Sequence, residues 1–136
     1  MCSFKEKTMK KIATNIVQSS VLRDKIGVAS ADMVWISGAP SQLCVIDGEY
    51  VKRENLDEYD TFAYSLDALI DMISSSGGDV DFHHTSDCFD QWICRWSMRV
   101  QGNKLANLSR IGKTKVDAAF EVVVSLCNEG YIKRGQ

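Results

Sequence analysis

The residues best suited to chemistry are two arginines in a segment of alternating polarity. From Trp92 to Gln101, apolar and polar side chains alternate, which is typical of a β-strand with two different faces. Arg95 and Arg99 then project from the same face, about 13 Å apart at a rise of about 3.3 Å per residue. Two planar guanidinium groups on a rigid strand suit the binding of phosphates or carboxylates. The alternative is cross-strand pairing of these arginines with Asp79 or Asp81.

Charge is strongly segregated around these arginines. Residues 91–116 contain six Lys or Arg and no acid, whereas residues 47–90 contain twelve acids and two bases, although the net charge is only −2. Such a dipole can steer a charged partner. The candidate partner-binding residues on the basic side are Arg95, Arg99, Arg110 and Lys113. The candidates on the acidic side are Asp57, Glu58, Asp60, Asp87 and Asp90.

The sequence Gly112-Lys113-Thr114 before a predicted helix is similar to the end of a phosphate-binding loop. Asn107 stands where that motif has its first glycine, and the segment before it is not a buried strand. A nucleoside triphosphatase is therefore not predicted. An isolated anion site at the start of the helix stays open, because the helix dipole and Lys113 both favour a negative group.

The chain has only two histidines, His83 and His84, and both lie near Cys88 and Cys94. The spacing His-x4-Cys-x5-Cys lacks the close cysteine pair typical of structural zinc sites, so we expect no metal and no cofactor. A cysteine nucleophile would need one of these histidines as its base. The paired carboxylates lie in polar segments, where solvated rather than catalytic carboxylates are expected. We therefore expect a protein that is not an enzyme.

Length and composition indicate one globular domain over residues 1–136. The chain is 45% hydrophobic and 25% charged, and its five cysteines show no paired framework, which favours a reducing cytoplasm. No apolar segment of about 7–15 residues follows the N-terminal lysines, and none approaches the ~20 residues of a membrane helix. We expect a cytoplasmic protein without a membrane partner.

The first half of the chain predicts one helix and three short strands. An apolar stripe that includes Ile12, Ile16 and Val17 predicts a helix from about residue 5 to 24, with Gly27 beyond it. Residues 33–36 form a predicted strand, and two further strands flank Asp47-Gly48, a strong hairpin signal. Residues 52–63 are a predicted surface connection.

The second half predicts two helices and two strands. Ser65 is the predicted cap of a helix that ends at residues 74–78, and strands follow at 80–84 and 92–101. Gly102 to Lys113 is a predicted basic connection, and Thr114 with Asp117 is the predicted capping pair of the last helix. The basic strand, loop and helix together span residues 91–128. The predicted core contains Ile16, Ile70, Trp92, Trp96 and Phe120.

These elements indicate an α+β fold. About three helices pack on an antiparallel sheet of about five strands in a layered single domain.

Residues 64–127 resemble the phage ABA-sandwich domain family. The features that carry the resemblance are Tyr64-Ser65 opening a helix, the strand from Trp92 to Val100, and Thr114 opening an alanine-containing helix. The resemblance implies a phage or prophage origin, a location in the host cytoplasm and a layered α/β fold. It implies no catalytic residues, because an active site does not define the family.

Two functions follow from these observations. The first is a non-enzymatic phage-type interaction protein that binds and inhibits a host anti-phage defence protein, with the acidic segment 47–90 imitating nucleic acid. The alternative is a small-molecule binder that sequesters a nucleotide-like anion with the four basic candidates. A homodimer or other homo-oligomer is compatible with both.

Overall fold

A computed structural model describes residues 11–27, 30–36, 42–45, 61–85, 90–101 and 104–133. Its helices and strands are α1 (Ile16–Ile26), β1 (Met33–Ile36), β2 (Gln42–Val45), β3 (Thr61–Ala63), α2 (Leu66–Ser75), β4 (Asp79–His84), β5 (Trp92–Val100), β6 (Lys104–Gly112) and α3 (Lys115–Asn128). The described strands form two antiparallel sheets, ordered β2-β1-β3 and β4-β5-β6. The α+β class is confirmed, but the strands lie in two sheets instead of one sheet of about five strands. No helix within the described ranges is long and apolar enough to cross a membrane.

Helices α2 and α3 begin where their sequence caps predict. The side chain of Ser65 accepts a hydrogen bond from the Ala68 N–H, and that of Thr114 accepts one from the Asp117 N–H. Each bond satisfies one of the backbone donors that the first turn of a helix leaves without a partner. Both helices pack against the second sheet and against each other.

The main core lies between the second sheet and the helices. Trp96 and Phe120 are buried, as predicted, whereas Ile70 and Trp92 are only half-buried. The largest fully buried side chain among the described residues is Tyr64, which was not among the predicted core residues. Burial of these large apolar side chains supplies most of the free energy of folding.

Helix α1 differs from its prediction. It begins at Ile16 instead of near residue 5, because Asn15 forms a capping box with Gln18. The chain before it is extended, with Ala13 bridging to Ser65. Residues 5–10 of the predicted helix lie outside the described residues.

The buried face of α1 also differs from its prediction. Ile16 and Val17 are 44% and 73% exposed, and the buried residues of the helix are Ser19, Leu22 and Ile26. The placement of Ile16 in the core was therefore wrong.

Strand β6 was predicted as a connection, and that prediction was wrong. It pairs with β5 along the whole length of both strands, from Trp92 opposite Gly112 to Val100 opposite Lys104. The apolar side chains that β6 packs against the core are Ala106 and Leu108, which are fewer and smaller than those of β5. The alternation of apolar and polar residues in its sequence is therefore weak.

The first sheet confirms two predicted strands, the one at residues 33–36 and the one before Asp47-Gly48, which is β2, and adds a third. The predicted strand after Asp47-Gly48 lies outside the described residues. Met33–Ile36 forms β1, as predicted, and Thr61–Ala63 is strand β3 although it was predicted as part of a surface connection. Strand β2 ends at Val45, so the Asp47-Gly48 turn lies outside the described residues.

Candidate protein-interaction face

One face of the sheet β4-β5-β6 carries side chains directed away from the helices, and we call it the open face. Its residues alternate with the core-facing ones along each strand and share the register of the sheet. All of them are exposed except Ile93 and Ser97, which are half-buried. The open face consists of Asp79, Asp81, His83, Ile93, Arg95, Ser97, Arg99, Leu105, Asn107, Ser109 and Ile111.

The register arranges these side chains in rows across the strands. One row joins His83, Ile93 and Ile111 at one end of the face, and Arg99 opposes Leu105 at the other end. The rows that contain Asp79, Asp81 and Arg95 lie between the row of Ile111 and that of Leu105. Leu105 and Ile111 are 61% and 53% exposed, which is high for large aliphatic side chains.

The two arginines on β5 have different surroundings. Arg95 lies directly opposite Asp81, and its Nε is 3.9 Å from the Asp81 carboxylate. This is the cross-strand alternative that the sequence left open. Both side chains are more than half exposed, so their attraction is screened by water and contributes little to stability. Arg99 forms no ion pair with any other residue that the structure describes.

The four basic candidates do not converge on one site. Arg110 opposes Cys94 and lies on the helix side of the sheet, where its Nε donates to Ser125 Oγ at 3.1 Å. Lys113 is exposed between β6 and α3. Successive side chains of a strand point to opposite faces, so Arg110 lies on the face opposite to that of Ser109 and Ile111. Arg110 is therefore separated from the arginines of β5.

The start of α3 is already occupied by a carboxylate of the chain itself. Asp117 accepts hydrogen bonds from Lys11 Nζ at 2.6 Å, Gln18 Nε2 at 2.9 Å and Thr114 Oγ1 at 2.9 Å. The negative charge favoured by the helix dipole is thus internal, which removes the basis for an anion site at Lys113. Burial alone would raise the pKa of Asp117, but these hydrogen bonds and the Lys11 charge outweigh it and hold that pKa below its ordinary value of 3.8.

Asp117→Asn should reduce the free energy of unfolding by about 1–3 kcal/mol at pH 7, because it removes charge-assisted hydrogen bonds that link α1, α3 and Lys11. A carboxylate whose pKa is lowered by folding stabilises the fold fully above its ordinary value of 3.8 and loses that contribution as the pH falls through the folded value. The difference between the two proteins should therefore shrink from pH 7 to pH 2.5, as measured by urea unfolding. A difference that stays constant over this range would contradict the assigned role of Asp117.

Most of the acidic candidates lie outside the described residues, namely Asp57, Glu58, Asp60 and Asp87. Asp90 is described, and its carboxylate lies 2.5 Å from His84 Nε2. The His84 ring packs at 4.7 Å from the ring of Trp92. Asp90 therefore already has a partner within the β4–β5 connection.

The cysteine and histidine candidates are separated by the sheet. Cys94 is fully buried on the helix side, whereas His83 is exposed on the open face. Burial, with a smaller contribution from the Asp81 charge, raises the pKa of the Cys94 thiol to about 12, so it is protonated at neutral pH and a poor nucleophile. Cys88 lies outside the described residues, and the described ones contain no group of three potential ligands placed to hold a metal ion.

The described residues line a larger and a smaller cleft. The larger, about 560 Å³, lies along α2 and is lined in part by Asp32, Asp67 and Asp71. The smaller, about 200 Å³, lies between β6 and the end of α3 and includes Leu108 and Glu129. Sequence reasoning missed both clefts, because they depend on how the helix ends pack against other elements.

Sequence reasoning also missed Leu105 and Ile111. Leu105, Asn107, Ser109 and Ile111 occupy every second position, so they share one face once the segment is recognised as a strand.

No family model, curated protein or solved structure matches the chain.

Proposed function

We propose that this chain is a non-enzymatic interaction protein, a single layered domain whose open face binds another protein. The observation that carries the proposal is the exposure of Leu105 and Ile111 at opposite ends of a sheet face whose centre is charged. Exposed apolar side chains combined with arginine are characteristic of protein interfaces, where a few such residues supply most of the binding energy. The target we propose is a host anti-phage defence protein, in keeping with the resemblance of residues 64–127 to a phage family.

Arg99 is the strongest candidate for a binding hot spot on the open face. It is exposed, has no ion-pair partner among the described residues, and lies directly opposite Leu105. A carboxylate of the partner can therefore pair with Arg99 without displacing an internal ion pair. When the surrounding apolar contacts exclude water, such a pair becomes stronger and more specific than an exposed one.

The alternative function, sequestration of a nucleotide-like anion, has weaker support. Small ligands bind in concave pockets with converging polar groups. The basic candidates lie on two sides of the sheet, and the open face is a sheet surface rather than a pocket. A protein partner can cover such a surface, whereas a mononucleotide cannot.

The test is a phage plating assay in bacteria that carry a panel of anti-phage defence systems. We expect the wild-type protein to restore plaque formation against at least one system, and Arg99→Glu to reduce that restoration at least tenfold. Lys113→Glu is the matched control, because it changes the charge equally but lies outside the open face, and it should behave like wild type.

Two further outcomes would overturn this assignment. If Asp57→Lys abolishes the restoration while Arg99→Glu leaves it intact, the acidic segment is the binding surface. If the purified protein carries a nucleotide that absorbs at 260 nm and Arg99→Glu loses it, sequestration is the function.

A further inference from the structure

Among the described strands, β6 lies at an edge of its sheet. It runs for nine residues and pairs with β5 on one side, and the described part of the chain supplies no strand on its other side. The exposed edge of a sheet offers unpaired backbone N–H and C=O groups that can pair with another strand. Which backbone groups of β6 point outward follows from the hydrogen-bonding pattern of its sheet.

The outward backbone groups belong to the open-face residues of β6. The Thr85 N–H donates to the Gln91 carbonyl at 2.8 Å, so odd-numbered residues of β5 direct their backbone groups toward β4. Antiparallel strands alternate these directions, so even-numbered residues of β5 and β6 bond to each other. The odd-numbered residues of β6, from Leu105 to Ile111, therefore point outward. Consistent with this direction, the Ser109 carbonyl accepts a hydrogen bond from the side chain of Arg110 at 2.8 Å.

The sequence of β6 is complementary to itself about Leu108. If a second copy pairs antiparallel with a two-fold axis at Leu108, Leu105 lies opposite Ile111 of the second copy, and Asn107 lies opposite Ser109. All four outward residues then meet outward residues, and the nine-residue strands overlap completely. This register joins Leu105 of each copy to Ile111 of the other, and both are exposed in one chain.

On the helix side, the same register places basic side chains of the two copies close together. Arg110 of the second copy lies opposite Ala106, whose cleft against the end of α3 includes Glu129. Arg110 of the second copy also comes diagonally close to Lys104, so the arrangement needs a negative charge nearby. Glu129, which is exposed at the end of α3 and lines the same cleft as Ala106, can offset the repulsion between these two side chains.

We propose that two copies of this chain associate through β6 in this register, so that two three-stranded sheets become one six-stranded sheet. The open faces of the two copies then form one continuous surface. This inference goes beyond the proposed function, since one chain could bind its target through the open face without pairing.

The experiment measures mass in solution by light scattering after size exclusion at 100 μM. We expect the wild-type protein to have twice the 15.2 kDa of one chain. Asn107→Pro removes an outward N–H donor at the centre of the interface and should halve the measured mass. Asn107→Ala keeps that N–H and should remain a dimer, and circular dichroism should show that both variants keep the wild-type secondary structure.

A second measurement tests the register without a proline. Residue 108 is the only position that meets its own counterpart, at the short distance of a non-hydrogen-bonded pair. Leu108→Cys should therefore give a covalent dimer on oxidation, whereas Ala106→Cys should remain at the wild-type level set by the native cysteines.

The proposal is overturned by a wild-type protein that is monomeric at 100 μM. It is equally overturned if a dimer persists in Asn107→Pro, or if Ala106→Cys cross-links and Leu108→Cys does not. Loss of the dimer with unchanged defence inhibition would leave the proposed function standing, so the two can fail separately.

Discussion

Trp96→Ala should be the most damaging single substitution in this chain, with a loss of about 3–5 kcal/mol in the free energy of unfolding. Trp96 is 2% exposed at the centre of β5, and its ring lies 4.9 Å from the ring of Tyr131. Its Nε1 donates to Ser76 Oγ at 2.9 Å, which ties the sheet to the end of α2. Truncation would leave a large cavity and remove this hydrogen bond, and urea unfolding followed by circular dichroism measures the cost.

Ile16→Ala is the control for this prediction, because the sequence pattern placed Ile16 and Trp96 together in the core. Ile16 is 44% exposed at the start of α1, so its truncation should cost less than about 0.5–1 kcal/mol. If both variants lost the same free energy of unfolding, the apolar stripe that contains Ile16 would pack into the core. The buried face of α1 found in the structure would then be wrong.

Gly112→Ala should destabilise the protein by about 1–3 kcal/mol through overpacking. A Cβ at this position would lie 2.5 Å from the Ala118 backbone N and 2.6 Å from the Asp117 Cβ. Either the end of β6 or the first turn of α3 must then move, and that turn holds the Asp117 carboxylate and its partners.

Ser109→Ala is the control on the same strand, because Ser109 is exposed and its replacement should change the thermal midpoint by less than about 2 °C. A thermal midpoint for Gly112→Ala that equals the wild-type value would contradict the close approach of β6 to α3. Gly112 belongs to the segment that is similar to the end of a phosphate-binding loop. Its close approach to α3 explains why a glycine stands there.

The sequence was most informative where local rules and packing agree. β5 alternates over its whole length because its two sides meet a core and a surface of contrasting polarity. The caps Ser65 and Thr114 fixed the starts of α2 and α3, since backbone donors at a helix start need local acceptors. These elements could be placed without knowledge of any distant contact.

The failures arose where a distant contact decides the structure. The chain before α1 is extended because Ala13 and Thr14 pair with Ser65 and Tyr64, a contact across about fifty residues that no local pattern reveals. β6 was missed because an edge strand with a polar open face buries few apolar residues.

The candidate site was predictable only in part. The common face of Arg95 and Arg99 followed from strand alternation within one element. The position of Arg110 could not follow, because its face depends on β6 being a strand in register with β5. The partner of Lys11, Asp117, lies far along the chain and was visible only in the folded structure.

The most direct test of the open face as a protein-binding surface is site-specific photo-cross-linking during inhibition of a defence system. A photoreactive amino acid at Ser97, in the centre of the open face, should cross-link one host protein, and adding Arg99→Glu should abolish that adduct. The same probe at Glu121, exposed on α3, should give none. An adduct from position 121 with none from position 97, or an adduct at 97 that Arg99→Glu leaves unchanged, would contradict the assignment of the open face.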